Sequence, residues 1–275
     1  MVEIFILLLG SIVGVVLGLT GAGGSVIAVP LLMLGLGWTL PQAVPVALLA
    51  VALSALSGMF TVTRRNLVCY RAAILMAALG LASAPAGIWL AQWLPHMWLL
   101  ILFAIVLVAV AIRMYLQATY SPADSSIVRA AIDWQDSNPV CRFHPDTGKL
   151  AWSSPCAVVL ALGGAVTGLM SGLIGVGGGF IIVPALRHLT QLSMHAAVGT
   201  SLMVIALIST AGFAGAMLQG IPVAWSVAVP FVGGAILGMA GGRSLAPFLA
   251  GPLLQKAFAL LMILASAGLV GGLFH

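Results

Sequence analysis

The chain has 275 residues, 62% of them hydrophobic and 5% charged, with a mean hydropathy of +1.23. Soluble domains carry roughly 25% charged residues, so this composition excludes a soluble domain and reads as an integral membrane protein. A net charge of +5 and a pI near 9.6 would suit a nucleic-acid binder by value alone. The basic residues nevertheless lie scattered between apolar segments, which is the distribution that orients a chain in a bilayer.

In chain order, the first apolar stretch runs from Ile4 past the length of a cleavable signal and is not read as one. It contains Gly18-Leu-Thr-Gly-Ala-Gly-Gly-Ser-Val-Ile-Ala-Val-Pro30. Further stretches at about 42–62, 72–91, 97–116, 196–218, 226–242 and 257–274 approach or exceed the roughly 20 residues that cross a bilayer as a helix. Residues 118–155 break the apolar pattern with Asp124, Arg129, Asp133, Asp136, Arg142, Asp146 and Lys149 and read as an aqueous loop. Within it, Pro145-Asp-Thr-Gly148 supplies turn chemistry for a short hairpin over Val140–Trp152. Cys69, Cys141 and Cys156 show neither a CxxC spacing nor a histidine-paired metal spacing, so neither a disulfide nor a metal site is expected.

The glycine stretch occurs twice. Its second copy is Gly172-Leu-Ile-Gly-Val-Gly-Gly-Gly-Phe-Ile-Ile-Val-Pro184, and Gly18, Gly21, Gly23, Gly24, Val29 and Pro30 each recur 154 positions on. Gly10, Gly14 and Gly18 map onto Gly164, Gly168 and Gly172, a small-xxx-small ridge for close helix approach in lipid. The same offset, taken without a gap, pairs Ala43 and Val44 with Ala197 and Val198, Leu48 with Leu202, Gly58 with Gly212, Gly80 with Gly234 and Gly87 with Gly241. The chain therefore divides into a repeat at 1–117, a connecting loop at 118–155 and a second repeat at 156–275, together forming one membrane domain.

Charge placement sets the orientation, because cytoplasmic loops carry the excess of Lys and Arg. Arg64, Arg65 and Arg71 put the connection after the second segment inside, while Gln92–Met97 has no Lys or Arg and belongs outside. Arg113 and the central loop return inside. In the second copy the order reverses: Gln219–Trp225 is uncharged, and the next connection carries Arg243 and Lys256. The copies are therefore read as inverted, with all ten Lys and Arg on the cytoplasmic face and both termini outside. Inversion requires segments 4–37 and 156–188 each to enter and leave on one face, as a helix that breaks at the glycines and a second that turns back. The competing reading, one broken span per segment in parallel four-span repeats, would strand Arg187, Arg243 and Lys256 outside. The expected fold is thus an all-α polytopic membrane protein of two inverted repeats, each a glycine-broken helical hairpin plus three transmembrane helices.

A helix break inside a bilayer leaves backbone N–H and C=O groups unpaired unless protein or a water-filled cavity covers them. Glycine permits the tight turn and close approach of a ligand to the main chain, and the start of the returning helix, near Ser25 and Gly179, favours an anion. Paired breaks in matching halves also point to a transporter's binding site. Gly21, Gly23, Gly24, Ser25, Gly175, Gly177, Gly178 and Gly179 are the resulting candidates. Thr200 and Ser201, aligned with Val46 and Ala47, add two hydroxyls, which serve equally well as interhelical hydrogen bonds. His195 can donate to an anion or titrate, or sit at the cytoplasmic interface. No Asp or Glu lies in a predicted span apart from Glu3 near the N-terminus, which argues against a carboxylate proton relay or carboxylate cation site. No Gly-Lys-Ser/Thr follows either cluster and neither follows a soluble strand, so phosphate-loop and dinucleotide readings fail.

The duplicated Gly-x-x-Gly-x-Gly-Gly-x-x-x-x-Val-Pro motif, the run Val198-Gly-Thr-Ser-Leu202 and the loop Arg142–Trp152 together resemble the TauE/SafE sulfite exporter family of permeases over nearly the whole chain. The resemblance implies an inner-membrane carrier for sulfur-containing anions such as sulfite, thiosulfate or small organosulfonates, usually moved outward. One departure is visible: Pro45-Val-Ala stands in the first copy where the second has Gly199-Thr-Ser. The expected partners are a small anionic substrate, the lipid bilayer and, where the chain self-associates, further copies in a homo-oligomer, with no nucleic acid, cofactor or metal. A secondary carrier working by alternating access is the leading expectation. An anion channel, or a transporter of another small anion, is the alternative. An enzyme is disfavoured, since the spans hold no paired carboxylates, Ser-His-Asp set or metal cluster.

Overall fold

A computed structural model describes residues 2–21, 23–63, 69–120, 154–175, 177–179, 182, 194–249 and 252–271. Among them the helices are α1 (Val2–Thr20), α2 (Gly23–Leu36), α3 (Leu40–Thr63), α4 (Tyr70–Trp93), α5 (His96–Tyr120), α6 (Ser154–Ile174), α7 (Met194–Leu218), α8 (Trp225–Leu249) and α9 (Pro252–Gly271). No strand occurs among the described residues. A helix satisfies its own backbone polar groups inside hydrocarbon, and so apolar runs of this length become helices. The all-α polytopic expectation is met: α1 and α3 to α8, seven helices, are long and apolar enough to cross a membrane. The Val140–Trp152 hairpin, Arg64, Arg65 and Arg187 lie outside the described residues.

Helix α1 packs along α8, and α4 along α6, through rows of small residues. A Cβ on Gly10, Gly14 or Gly18 would fall 2.1, 2.0 or 2.8 Å from the carbonyl oxygen of Phe231, Ala235 or Met239. On the other pair, Gly164, Gly168 and Gly172 would meet the carbonyls of Met76, Gly80 and Ala84 at 2.4, 2.0 and 2.2 Å. Residue numbers rise together along both contacts, so the helices of each pair run parallel. Glycine lets the backbones touch, which is how helices gain van der Waals contact where lipid supplies no hydrophobic drive. Each half thus lends its first helix to the other half.

These contacts correct the ungapped register expected from the sequence. Residue 235 lies 155 beyond 80, whereas 168 lies 154 beyond 14, and likewise Gly87 meets Leu169 O where Gly242 meets Val15 O. Gly80 therefore corresponds to Ala235 and Gly87 to Gly242, while Gly241 has nothing within 4 Å of its would-be Cβ. The extra residue falls before α8, since α3 and α7 keep the original offset and α4 and α8 begin 155 apart. A one-residue insertion in a connection costs little, whereas inside a helix it would rotate the glycine row off its partner.

At the centre, α3 and α7 run antiparallel: Gly58 meets Leu202, and Gly212 meets Leu48. Helices α5 and α9 are also antiparallel, with Ser266 Oγ donating to Ala104 O at 3.3 Å and Lys256 Nζ 5.7 Å from the Tyr115 ring centroid. Helix α2 doubles back along α1, for Gly24 packs on Leu17 and Gly35 on Leu9. The first arm of this hairpin is longer than a half-helix: α1 has 19 residues, about 28 Å at 1.5 Å per residue, because the break comes only at its end.

The described basic residues gather at one end. Arg71 opens α4 beside the start of α7, to which Cys69 N is tied through Thr200 Oγ1. Arg243 Nη1 donates to Gly58 O at 2.7 Å near the close of α3, and Lys256 over Tyr115 brings the Arg113 end of α5 to the same level. Trp38, Trp93, Trp98 and Trp225 mark the opposite end, where α1 begins and α9 finishes. Exposed Leu, Ile and Val side chains such as Val229, Leu237 and Leu264 cover the outer surface between the ends, as contact with lipid tails requires. Cys156 at the start of α6 is disulfide-bonded, against the expectation from cysteine spacing, and its partner lies outside the described residues.

Candidate functional site

Both helices that lead into the glycine stretches end in the same way. Gly21 N donates to Leu17 O and Gly175 N to Ser171 O, each at 2.8 Å, and the two glycines have φ of +75° and +74°. A left-handed residue after the last helical turn is the usual glycine cap, open to glycine because it lacks a Cβ. The capped turns then cross over: a Cβ on Gly21 would strike Val198 Cγ1 of α7 at 2.6 Å, and one on Gly175 would strike Val44 Cγ1 of α3 at 2.3 Å. Val44 and Val198 are themselves 154 apart, so each break is braced by the corresponding residue of the other half.

Beyond the caps the two copies part. In the first, α2 starts at Gly23, with Gly24 pressed on Val13 O and Leu17 Cβ, each at 2.5 Å from its would-be Cβ. In the second, Gly177 and Gly178 stay left-handed, at φ +66° and +64°, and Gly178 abuts Thr167 Cγ2 and Thr167 O. A Cβ on Gly177 would lie 2.6 Å from Ser209 Oγ, 3.6 Å from Val51 Cγ1 and 3.8 Å from Ser25 Cβ. Val51 stands halfway along α3, so the second break meets the start of α2 in the middle of the bundle. Gly177, Gly178, Gly179 and Ser25 are all buried.

The structure separates the remaining candidates. Ser201, fully buried, donates to Val198 O at 2.8 Å, and its Oγ lies 3.5 Å from Gly21 O, which ties α7 to the first break. Thr200 Oγ1 accepts from Cys69 N at 3.1 Å and fastens the start of α4. That contact faces the basic end rather than the Ser25–Gly177 meeting point, so Thr200 stands apart from the central group. His195 lies in the first turn of α7, and its side chain is outside what the structure describes. Burial pushes the Cys69 thiol above its ordinary value, and the group stays protonated.

Sequence reasoning missed Ser209 and Ser171. Both are buried, and neither hydroxyl has a hydrogen-bond partner among the described residues. The only sequence signal for either was a hydroxyl facing an apolar counterpart at the repeat offset, Ala55 for Ser209 and Leu17 for Ser171.

Paired helix breaks, braced across an interlocked apolar bundle, define a class of polytopic membrane protein in which such breaks mark transporter sites. Residues 6–269 match the family described as Sulfite exporter TauE/SafE, and the chain belongs to that family. A probable membrane transporter protein of Xylella fastidiosa (strain Temecula1) is 30% identical over 260 residues, covering 92% of this chain and 89% of the relative. The probable membrane transporter protein YunE of Bacillus subtilis (strain 168) is 27% identical over 246 residues, 86% of this chain and 85% of that protein. No solved structure matches the chain.

Proposed function

We propose that the protein is a secondary carrier, working as an exporter, for small sulfur-containing anions such as sulfite, thiosulfate or organosulfonates, and that it has no enzymatic activity. The observation that carries this reading is the meeting of the second glycine break with the start of α2 at the level of Val51 and Ser209. Main-chain N–H groups of a glycine turn and a helix start donate to an anion without needing a side chain. The halves act as inverted repeats, which the antiparallel course of α3 and α7 supports, and alternating access follows from rocking one half against the other. Burial of Ser25, Ser201 and Gly177 to Gly179 favours a carrier with an occluded site over an open channel.

The basic end faces the cytoplasm of the inner membrane by the positive-inside rule, placing both termini outside. Reporter tags at either terminus check this, and a cytoplasmic signal from one of them contradicts it. For the function itself, purified protein heated with sulfite, thiosulfate, sulfoacetate, taurine or sulfate should melt higher with at least one sulfur oxyanion or sulfonate. Ligand at 100 times its Kd adds about 2.7 kcal/mol to the native state. An unchanged Tm across the panel at millimolar ligand would count against an anion site.

A further inference from the structure

Eight polar side chains are buried among the described residues, all of them hydroxyls: Ser25, Ser54, Thr167, Ser171, Thr200, Ser201, Ser209 and Ser266. Six of them are engaged, for example Ser54 with Ala50 O and Thr167 with Gly163 O, the back-bonding to the preceding turn by which a helical hydroxyl normally satisfies itself. Ser209 and Ser171 are the two without a partner. A buried hydroxyl left unpaired is costly, and one in a native site calls for an explanation.

Both belong to the second half, and both adjoin its glycine break. Ser209 is 0% exposed, and its Oγ lies 2.6 Å from where a Gly177 Cβ would stand, so the hydroxyl faces the glycine turn directly. Ser171 is 1% exposed and one helical turn beyond Thr167, whose methyl and carbonyl abut Gly178, and its own carbonyl accepts from Gly175 N. The counterparts in the first half are Ala55 and Leu17, each fully buried and apolar. The backbone differs in the same sense: Gly177 and Gly178 are left-handed, and Gly23 and Gly24 are not.

We propose that the anion binds in a single asymmetric site at the second break, where the Ser209 and Ser171 hydroxyls join the N–H groups of Gly177 to Gly179. The first break braces it through the start of α2, where Ser25 packs against Gly177. The site takes a monovalent oxyanion of the sulfonate type, which within the class proposed above selects bisulfite and monosulfonates over the dianions thiosulfate and sulfoacetate. Neither α3 nor α6 contains a charged residue, and α7 carries only His195 in its first turn, so all the donors are neutral. The desolvation cost of an ion rises with the square of its charge, and a dianion here would meet no cationic donor among the described residues, Arg243 reaching α3 only at Gly58 O, about 10 Å along the helix from Val51. This inference rests on the anion-carrier reading and goes beyond it in naming one half, two hydroxyls and a charge state.

The test is binding of methanesulfonate and of sulfate, by thermal shift and titration, to wild type, Ser209→Ala, Ser171→Ala and the mirror variant Ala55→Ser. Ser209→Ala installs the residue the first half carries at this position and removes an unpaired hydroxyl, so the ligand-free Tm should hold or rise. Affinity for methanesulfonate should fall about tenfold or more in Ser209→Ala and in Ser171→Ala, stay unchanged in Ala55→Ser, and exceed that for sulfate in wild type. Wild-type affinity in both serine variants, with wild type itself binding, overturns the asymmetric site and leaves the carrier reading standing. Sulfate binding as tightly as methanesulfonate overturns the charge selection. Failure of wild type to bind either anion, or any of the five in the panel above, overturns both readings.

Discussion

Gly178→Leu should reduce sulfonate or sulfite flux into proteoliposomes at least about 100-fold while the protein still inserts and purifies as a single species. The residue sits at φ +64°, where a side chain costs about 1–2 kcal/mol, a loss that a stability of about 5–15 kcal/mol can absorb. The geometric effect is larger than the energetic one. Any Cβ would overlap Thr167 Cγ2 and come within 2.9 Å of Thr167 O, so the turn must move off α6, carrying the Gly177 to Gly179 N–H groups away from Ser209. Misplacing a binding constellation by about 1 Å costs on the order of 100-fold. Gly178→Ala carries the same Cβ with less bulk and should give an intermediate flux. Normal flux in the leucine variant, with confirmed insertion, would remove this turn from the site.

Gly168→Leu is expected to act through the fold instead. Its Cβ would lie 2.0 Å from Gly80 O and 2.4 Å from Ser83 Oγ, and moving the Ser83 side chain would still leave the backbone carbonyl of Gly80 in the way. Ser83 also donates to Ala165 O across the same interface, at 2.7 Å. Overpacking costs typically about 1–3 kcal/mol, and here it should reach or pass the upper end, seen as a lowered Tm in detergent and poor recovery of folded protein. Gly241→Ala is the companion measurement. The ungapped alignment would equate Gly241 with the packed Gly87, yet its surroundings are open, and the variant's stability should stay within about 1 kcal/mol of wild type. Equal damage from both substitutions would mean that the 155-residue register of α4 and α8 is wrong.

The contrast between these glycines shows what was legible in the residues alone. The offset of 154 located both caps, Gly21 and Gly175, and the rows at Gly10, Gly14, Gly18 and Gly164, Gly168, Gly172, because backbone turns and close helix contacts leave glycine as their mark. It did not reveal the one-residue shift before α8, since a connection tolerates an insertion that leaves no compositional trace. Ser209 was hidden for a different reason. One serine in an apolar helix is commonly bonded to its own preceding turn, and only the three-dimensional contact with Gly177, together with the missing partner, separates it from Ser54. Thr200 suited an anion by its place next to a glycine at a helix start, and what the residues alone did not show is that its oxygen accepts from Cys69 N and so ties α7 to the start of α4. The asymmetry between halves was visible at Pro45-Val-Ala against Gly199-Thr-Ser, one place where it could be seen without coordinates, although the hydroxyls that adjoin the second break lie elsewhere.

Counterflow tests the central claim, that a buried anion site alternates between the two faces. Proteoliposomes loaded with millimolar unlabelled methanesulfonate and diluted into trace labelled methanesulfonate should show transient accumulation of label above its equilibrium level. That overshoot should be absent from vesicles without protein and from vesicles with Gly178→Leu. A carrier produces it because one site returns occupied by label, whereas a pore merely lets the gradient collapse. Label that only equilibrates, at a rate indifferent to the internal load, would contradict alternating access and favour a channel; no protein-dependent entry of label would contradict transport of this anion altogether.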